Sequence, residues 1–148
     1  MNKYMGADRS LAQRLGPLFG LLYIAIGILG FLSTGFVNVV QNTDDTLLGF
    51  AVNPLHNILH ILIGVYLLLL STRESAPAAE GAVMGVGLFY VVAFVIGVTA
   101  PDNLTILSMT GEGDLENLNH IVNGVALLTI GLLSSGQTHA RMKRSGLA

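Results

Sequence analysis

The feature that most constrains this chain is a series of four long apolar stretches separated by polar segments. A helix needs about 20 largely apolar residues to cross the hydrocarbon core of a bilayer. Charged residues make up 11% of the 148-residue chain, whereas roughly 25% is usual in soluble domains. The pattern predicts one all-α domain, an integral membrane four-helix bundle with spans at about 15–37, 54–70, 82–100 and 118–133.

The segments between the spans are polar and contain helix-breaking residues, which predicts loops at about 38–53, 71–81 and 101–117. Asn53 followed by Pro54 is typical of a helix start. Asparagine caps the first turn, and proline lacks only an N–H group that would be unpaired there. Asp114 is expected to cap the fourth helix in the same way.

The basic residues are distributed unevenly between the polar segments. All seven lysines and arginines lie in the N-terminal tail, the middle loop or the C-terminal tail, and the charged residues of the two long loops are all acidic. Basic segments of membrane proteins stay on the cytoplasmic side. The distribution predicts cytoplasmic termini, outward-facing long loops and a multi-pass position in the cell inner membrane.

An internal repeat relates two parts of the chain, at about 18–71 and 85–131. At an offset of 60, eight of the 17 residues at 55–71 are identical to those at 115–131, and at an offset of 67 the stretch GLLY matches GLFY. The identities that are unusual in membrane helices are Asn57 with Asn117, His60 with His120, and Gly64 with Gly124. Each repeat holds two spans and so enters the membrane in the same direction, which predicts a pseudo-two-fold axis along the membrane normal.

Polar residues form a stripe on one face of the second helix and on the equivalent face of the fourth. Because polar groups in membrane helices rarely face lipid, both stripes should point into the bundle. The first interpretation is structural, since such stripes commonly form interhelical hydrogen bonds and their glycines allow close helix approach. The residues assigned to this structural stripe are Asn57, Asn117, Asn123, Gly64 and Gly124.

A metal site is the second interpretation of the same stripes. His56 and His60 are spaced i, i+4, and so are Glu116 and His120. Two such pairs on facing helices resemble the inward-facing ligand pairs of metal-binding bundles. Three imidazoles and one carboxylate suit Zn²⁺, Cu²⁺ or Fe²⁺.

A tetrapyrrole is the third interpretation. His60 and His120 would supply two axial ligands to a b-type haem, or either would ligate a chlorophyll. The neighbouring glycines would then leave room for a flat ring. Covalent haem attachment is excluded, because the chain has no cysteine.

The sequence contains no phosphate loop, serine triad or paired-carboxylate motif, which favours a non-enzymatic accessory or interaction subunit without a cofactor. The pairs Gly16-x-x-x-Gly20 and Gly81-x-x-x-Gly85 predict tight helix packing. We expect the chain to contact the lipid bilayer and to form a homo-oligomer or join a larger membrane complex. Its net charge of −2 gives no indication of nucleic-acid binding.

Two motifs, NPLHNILHILIGV and NLNHIVNGVALL, resemble bacterial membrane proteins of the domain of unknown function 4383 family. The resemblance extends from about Leu15 to Ser134. It implies a four-helix membrane protein and no named activity. Its main supports are Asn57, His60 and Gly64 in the first motif and Asn117, His120 and Gly124 in the second.

Overall fold

The computed structural model of the protein describes residues 9–41, 45–99 and 115–146. Within them each helix is long and apolar enough to span a membrane, so the predicted all-α architecture of four such helices is confirmed. The helices are α1 (Leu11–Thr34), α2 (Pro54–Arg73), α3 (Ala76–Thr99) and α4 (Leu115–Arg144). A short antiparallel hairpin of β1 (Thr46–Leu47) and β2 (Phe50–Ala51) lies between α1 and α2.

The surface of the bundle is apolar, and many of its buried residues are polar. Leu18, Leu62 and Leu118 expose 58–61% of their surface, whereas Asn57 and Ser71 are fully buried. An apolar surface this extensive would drive association in water. In a bilayer it is matched to the acyl chains, so the pattern indicates a multi-pass membrane protein.

Capping residues determine where α1 and α2 begin. Ser10 and Gln13 form a reciprocal capping box at the start of α1. Asn53 caps α2 as predicted, since its side-chain oxygen accepts the backbone N–H of His56 at 2.8 Å. The predicted cap Asp114 lies outside the described residues.

The segment expected to be an irregular loop at 38–53 contains regular structure. Its hairpin turns at Leu48 and Gly49, whose φ angles are 55° and 86°. Two successive positive φ angles are typical of the tight turns that match the twist of paired strands. The preceding helix, α1, ends at Thr34 rather than near residue 37, because Gly35 follows with a φ of 58°.

Helices α2, α3 and α4 extend beyond the apolar stretches into polar sequence. The loop expected at 71–81 is reduced to Glu74 and Ser75, because α2 continues through Arg73 and α3 begins at Ala76. The fourth helix continues through the basic tail to Arg144. A helix satisfies its own backbone hydrogen bonds in lipid or in water, so hydropathy marks the membrane boundary and not the helix end.

Glycines bring α1 against α2 and α3 against α4. A Cβ atom at Gly20 would lie 2.8 Å from the carbonyl oxygen of Gly64, and one at Gly87 would lie 3.0 Å from the carbonyl oxygen of Gly124. These separations are too short for a side chain. The two helix pairs therefore pack backbone against backbone, which is common where membrane helices meet through small residues.

A hydrogen-bonded cluster joins three helices at the end of the bundle where α1 begins and α4 ends. Ser134 Oγ accepts the backbone N–H of Ala12 at 3.0 Å and donates to Glu80 Oε1 at 2.9 Å. Thr138 Oγ1 donates to the same carboxylate oxygen at 2.5 Å. Glu80 is buried, and sequence analysis had not singled it out. The cluster fixes the starts of α1 and α3 against α4.

Candidate metal centre

The first two turns of α2 and of α4 bring four predicted ligands together at the opposite end of the bundle. His56 and His60 lie one turn apart on α2, and Glu116 and His120 lie one turn apart on α4. Residues at i and i+4 share a helix face, so each helix presents two ligand side chains in one direction. All four residues are buried, with at most 6% of their surface exposed.

One carboxylate oxygen of Glu116 is the meeting point of this cluster. Its Oε1 atom lies 3.2 Å from Nε2 of His56 and 3.6 Å from Nε2 of His120. His60 also lies close to this point. One ligand atom of His60 is within 4.8 Å of a ligand atom of His56 and of one of Glu116. Side chains from two separate helices thus converge on a single position.

The ring of His56 lies close to both other histidines. Its centroid is 4.6 Å from that of His60 and 6.4 Å from that of His120. The Nδ1 atoms of His56 and His60 are buried, and neither has a hydrogen-bond partner in the part of the chain that the structure describes. Buried polar atoms are normally satisfied, so each exception requires an explanation such as an ion or a water molecule.

Two tyrosines from the remaining helices pack against the cluster. Tyr23 of α1 stacks on His60 with ring centroids 5.8 Å apart, and Tyr90 of α3 lies 5.7 Å from His120. The two tyrosine rings are 5.5 Å apart. Sequence analysis did not assign them to the site. The repeated stretches GLLY and GLFY end on Tyr23 and Tyr90, and this match is the sequence feature that could have linked the two tyrosines to the site.

A small cavity lies beside the cluster, on the side of α2 and α3. Its volume is about 30 Å³, enough for one or two water molecules. The residues that line it are His56, Leu59, His60, Ile63, Phe89, Tyr90, Ala93 and His120. Three of the four candidate ligands therefore face a space in which a small group fits.

Two of the three asparagines of the structural stripe contact the other helix of their own pair. Asn57 donates from Nδ2 to Thr34 Oγ1 at 3.0 Å, and its Oδ1 atom occupies the space that a Cβ at Gly30 would need. Asn117 has the same relation to Gly97. Each asparagine thus joins the two helices of one pair.

The remaining stripe residues also contact other helices. Asn123 accepts a hydrogen bond from the Tyr23 hydroxyl at 2.8 Å, between α1 and α4. A Cβ at Gly64 would lie 2.5 Å from the carbonyl oxygen of Gly20, and one at Gly124 would lie 2.8 Å from the Val91 side chain. The space beside each glycine is filled by a neighbouring helix, whereas the tetrapyrrole interpretation required room there for a ring.

The sequence matches the model of a known protein family. The sequence model of the family described as Domain of unknown function (DUF4383) matches residues 13–133. The chain belongs to this family. The match includes both polar stripes, so the four candidate ligands lie within the DUF4383 region. Comparisons with curated proteins and with solved structures give no match. DUF4383 membership confirms the resemblance and names no activity.

Proposed function

We propose that this DUF4383 protein binds a divalent transition metal inside the membrane, with His56, His60, Glu116 and His120 as its ligands. The observation that carries the proposal is the convergence of two imidazole nitrogens on one carboxylate oxygen, at 3.2 Å and 3.6 Å. Three imidazoles and a carboxylate form a donor set that suits Zn²⁺, Cu²⁺ or Fe²⁺.

Two of the distances between the proposed ligands match those expected around a single ion. Four tetrahedral ligands with bonds of about 2.0–2.1 Å lie roughly 3.3 Å from one another. The separation of 3.2 Å between Glu116 and His56 matches this value, and the 3.6 Å between Glu116 and His120 is close to it. His60 belongs to the looser group within 4.8 Å. His60 would have to move closer to bind the same ion, by rotation about its side-chain bonds.

A bound ion would also explain why this part of the bundle interior is polar. Ionisable side chains within membrane spans are costly, and they are commonly paired or functional. A divalent cation compensates the charge of Glu116 and accepts a lone pair from each imidazole. In this way the residues that would otherwise weaken the bundle become the ligands that hold it together.

The structural interpretation treats the same side chains as interhelical hydrogen bonds. It accounts well for Asn57 and Asn123, whose amides bond to Thr34 and Tyr23. Neither interpretation supplies a partner, among the described residues, for the buried Nδ1 atom of His56, because the ion would be bound through its Nε2 atom, which faces Glu116. The approach of the His56 and His120 Nε2 atoms to Glu116 favours a ligand role for the histidines, and the hydrogen bonds of the asparagines favour a packing role.

The tetrapyrrole interpretation has less support from the geometry. Pockets for organic ligands are typically about 300–1,000 Å³, whereas the cavity beside His60 and His120 measures about 30 Å³. The glycines near the two histidines are in contact with neighbouring helices. A macrocycle does not fit this space.

The internal repeat is also part of the proposal. In its register His56 is equivalent to Glu116, and these two residues lie 3.2 Å apart. Equivalent residues related by a two-fold axis can touch only at that axis, so the metal would sit on it. Contacts that recur in both halves support the repeat: Gly20 with Gly64 corresponds to Gly87 with Gly124, and Gly30 with Asn57 to Gly97 with Asn117.

We further propose cytoplasmic termini and a metal position in the outer half of the inner membrane. Arg14 near the start of α1, Arg73 at the end of α2 and Arg141 near the end of α4 lie at one end of the bundle. Basic residues favour the cytoplasmic side. The candidate ligands lie near the starts of α2 and α4, at the other end.

Elemental analysis of the purified protein tests the metal proposal. Protein in mild detergent is stripped with a weak chelator and equilibrated with Zn²⁺ or Co²⁺, and we expect one ion per chain. His60→Ala and Glu116→Ala should lower the affinity by about tenfold or more. His139→Ala is the matched control, because His139 is an exposed histidine of α4. Equal metal content in all variants would refute the proposal, and a Soret band would favour haem.

A further inference from the structure

We infer that the metal centre is reached sideways from the bilayer, between α2 and α3, and that it binds the carboxylate of a long-chain fatty acid. The inference rests on the proposed metal site and adds the class of molecule that the site takes. It depends on a difference between the two places where the helix pairs meet.

A hydrogen bond joins α1 to α4 on one side of the cluster, where Tyr23 donates to Asn123 at 2.8 Å. In the register of the repeat, the equivalent residues of α3 and α2 are Tyr90 and Ile63. Isoleucine cannot accept the equivalent bond. The cavity lies on this second side, between Ile63 and Tyr90. The bundle is thus joined by a polar contact on one side and left with an apolar opening on the other.

The cavity is polar at its base and apolar at its rim. The base is formed by His56, His60 and His120, and the rim by Leu59, Ile63 and Phe89. Phe89 exposes 45% of its surface, and the two aliphatic rim residues are partly exposed. In a bilayer these rim residues contact acyl chains, so the opening faces lipid.

The depth of the opening separates it from water. Phe89 lies ten residues before Thr99, the end of α3, which corresponds to about 15 Å along the helix axis. Leu59, the rim residue nearest the start of α2, lies five residues after Pro54, or about 7.5 Å along the axis, so the rim extends from the outer part of the span to the middle of α3. A molecule dissolved in the bilayer reaches the rim directly, whereas a polar solute would have to cross apolar surface.

The net charge of the proposed metal centre favours an anionic head group. A divalent ion held by three neutral imidazoles and one carboxylate keeps a net charge of +1. A net charge buried in a medium of low polarity is costly. One carboxylate oxygen as a further ligand makes the centre neutral.

The size and shape of the cavity also favour a fatty acid. A cavity of about 30 Å³ accepts a head of two or three heavy atoms. The single acyl chain of a fatty acid can then lie along Leu59, Ile63 and Phe89. A phospholipid, with its glycerol and two chains, is too bulky for this space.

The visible absorption of protein loaded with Co²⁺ tests the inference, because these bands report the coordination of the ion. Oleate should change the spectrum saturably, and methyl oleate, which has the same chain without the anion, should not. Acetate should bind about 100-fold more weakly, since it lacks the chain. Loss of Co²⁺ binding altogether would refute the proposed function. Normal Co²⁺ binding with no response to oleate would overturn this inference alone, as would an equal response to methyl oleate.

A pair of variants tests the direction of access. Ala93→Trp fills the cavity from α3, and Ile26→Trp places the same ring at the equivalent position of α1. The first should weaken oleate binding by about tenfold or more with Co²⁺ binding retained, and the second should bind oleate normally. Photoactivatable fatty acid on the unmodified protein gives an independent measure. Cross-links confined to α2 and α3 would support the inference, and cross-links spread over all four helices would overturn it.

Discussion

The side-chain oxygen of Asn57 occupies the space that a Cβ atom at Gly30 would need. The asparagine is held there by the hydrogen bond that its Nδ2 donates to Thr34. The contact joins α1 to the turn of α2 that carries two of the four candidate ligands. The position of those histidines therefore depends on a glycine in another helix.

Gly30→Ala is expected to lower the free energy of unfolding by about 1–3 kcal/mol, the usual cost of overpacking. Gly85→Ala is the matched control, because no described atom lies within 4 Å of a Cβ added there. The control should be neutral or slightly stabilising, since alanine favours helix over glycine. Unfolding in detergent micelles measures both, and equal losses would contradict the proposed contact.

Glu116→Gln keeps the size of the side chain and removes its charge. We expect metal affinity to fall by about tenfold or more, measured by calorimetric titration. Glu80→Gln is the control, because Glu80 is an equally buried carboxylate at the opposite end of the bundle. A similar loss in both variants would indicate a general effect on folding rather than the loss of a ligand.

Ser134→Ala removes the hydroxyl that accepts the Ala12 N–H and donates to Glu80. The change leaves buried polar groups without a partner, which should cost about 1–3 kcal/mol of stability. Ser135→Ala alters the next, partly buried residue and should have little effect. Thermal unfolding compares the two. Metal affinity should not change, and a change would show that the two ends of the bundle are coupled.

Cysteine labelling tests the orientation, because the chain has no cysteine of its own. A cysteine at Gln41 should react with an impermeant thiol reagent on intact spheroplasts, and one at Ser75 only after permeabilisation. Both positions are exposed. Labelling at position 75 alone would reverse the orientation and move the candidate metal site to the inner half of the membrane.

Self-association is expected to use α3 rather than α1. Gly16 and Gly20 pack within the chain against α2, whereas no described atom lies within 4 Å of a Cβ added at Gly81 or Gly85. Small residues exposed in this way allow another helix to approach closely. Gly85→Leu should lower the apparent oligomer size in mild detergent, while Gly136→Leu should not. A monomeric wild-type protein at every concentration would contradict the prediction.

The sequence was sufficient to predict the helices and the inward direction of the His56–His60 and Glu116–His120 pairs, because both follow from local spacing. An apolar stretch of sufficient length forms a spanning helix, and residues four apart share a face. The distance from Glu116 to His56 could not be predicted, because it depends on how closely the helices approach. That approach is governed by glycine contacts such as Gly20 with Gly64, which join residues far apart in the chain.

Glu80 and the ends of the helices show a second limit of sequence patterns. A single carboxylate in a strongly apolar helix barely changes its mean hydropathy, so nothing in the pattern indicates its partners on α4. The end of α4 was missed for a related reason. Its last residues are basic and polar, yet they continue the helix to Arg144.

Helices α2 and α3 are connected by only two residues, so this connection can act as the hinge of a helical hairpin. Glu74 and Ser75 form the joint, and the Gln13 side chain holds it by donating to the Glu74 carbonyl oxygen at 2.9 Å. The helices can separate little near the joint and most at their far ends. A tilt of about 5° over helices about 30 Å long moves those ends by about 2.5 Å. The far end is where His56 and His60 lie, so a small flexing at this joint would displace mainly the proposed metal site.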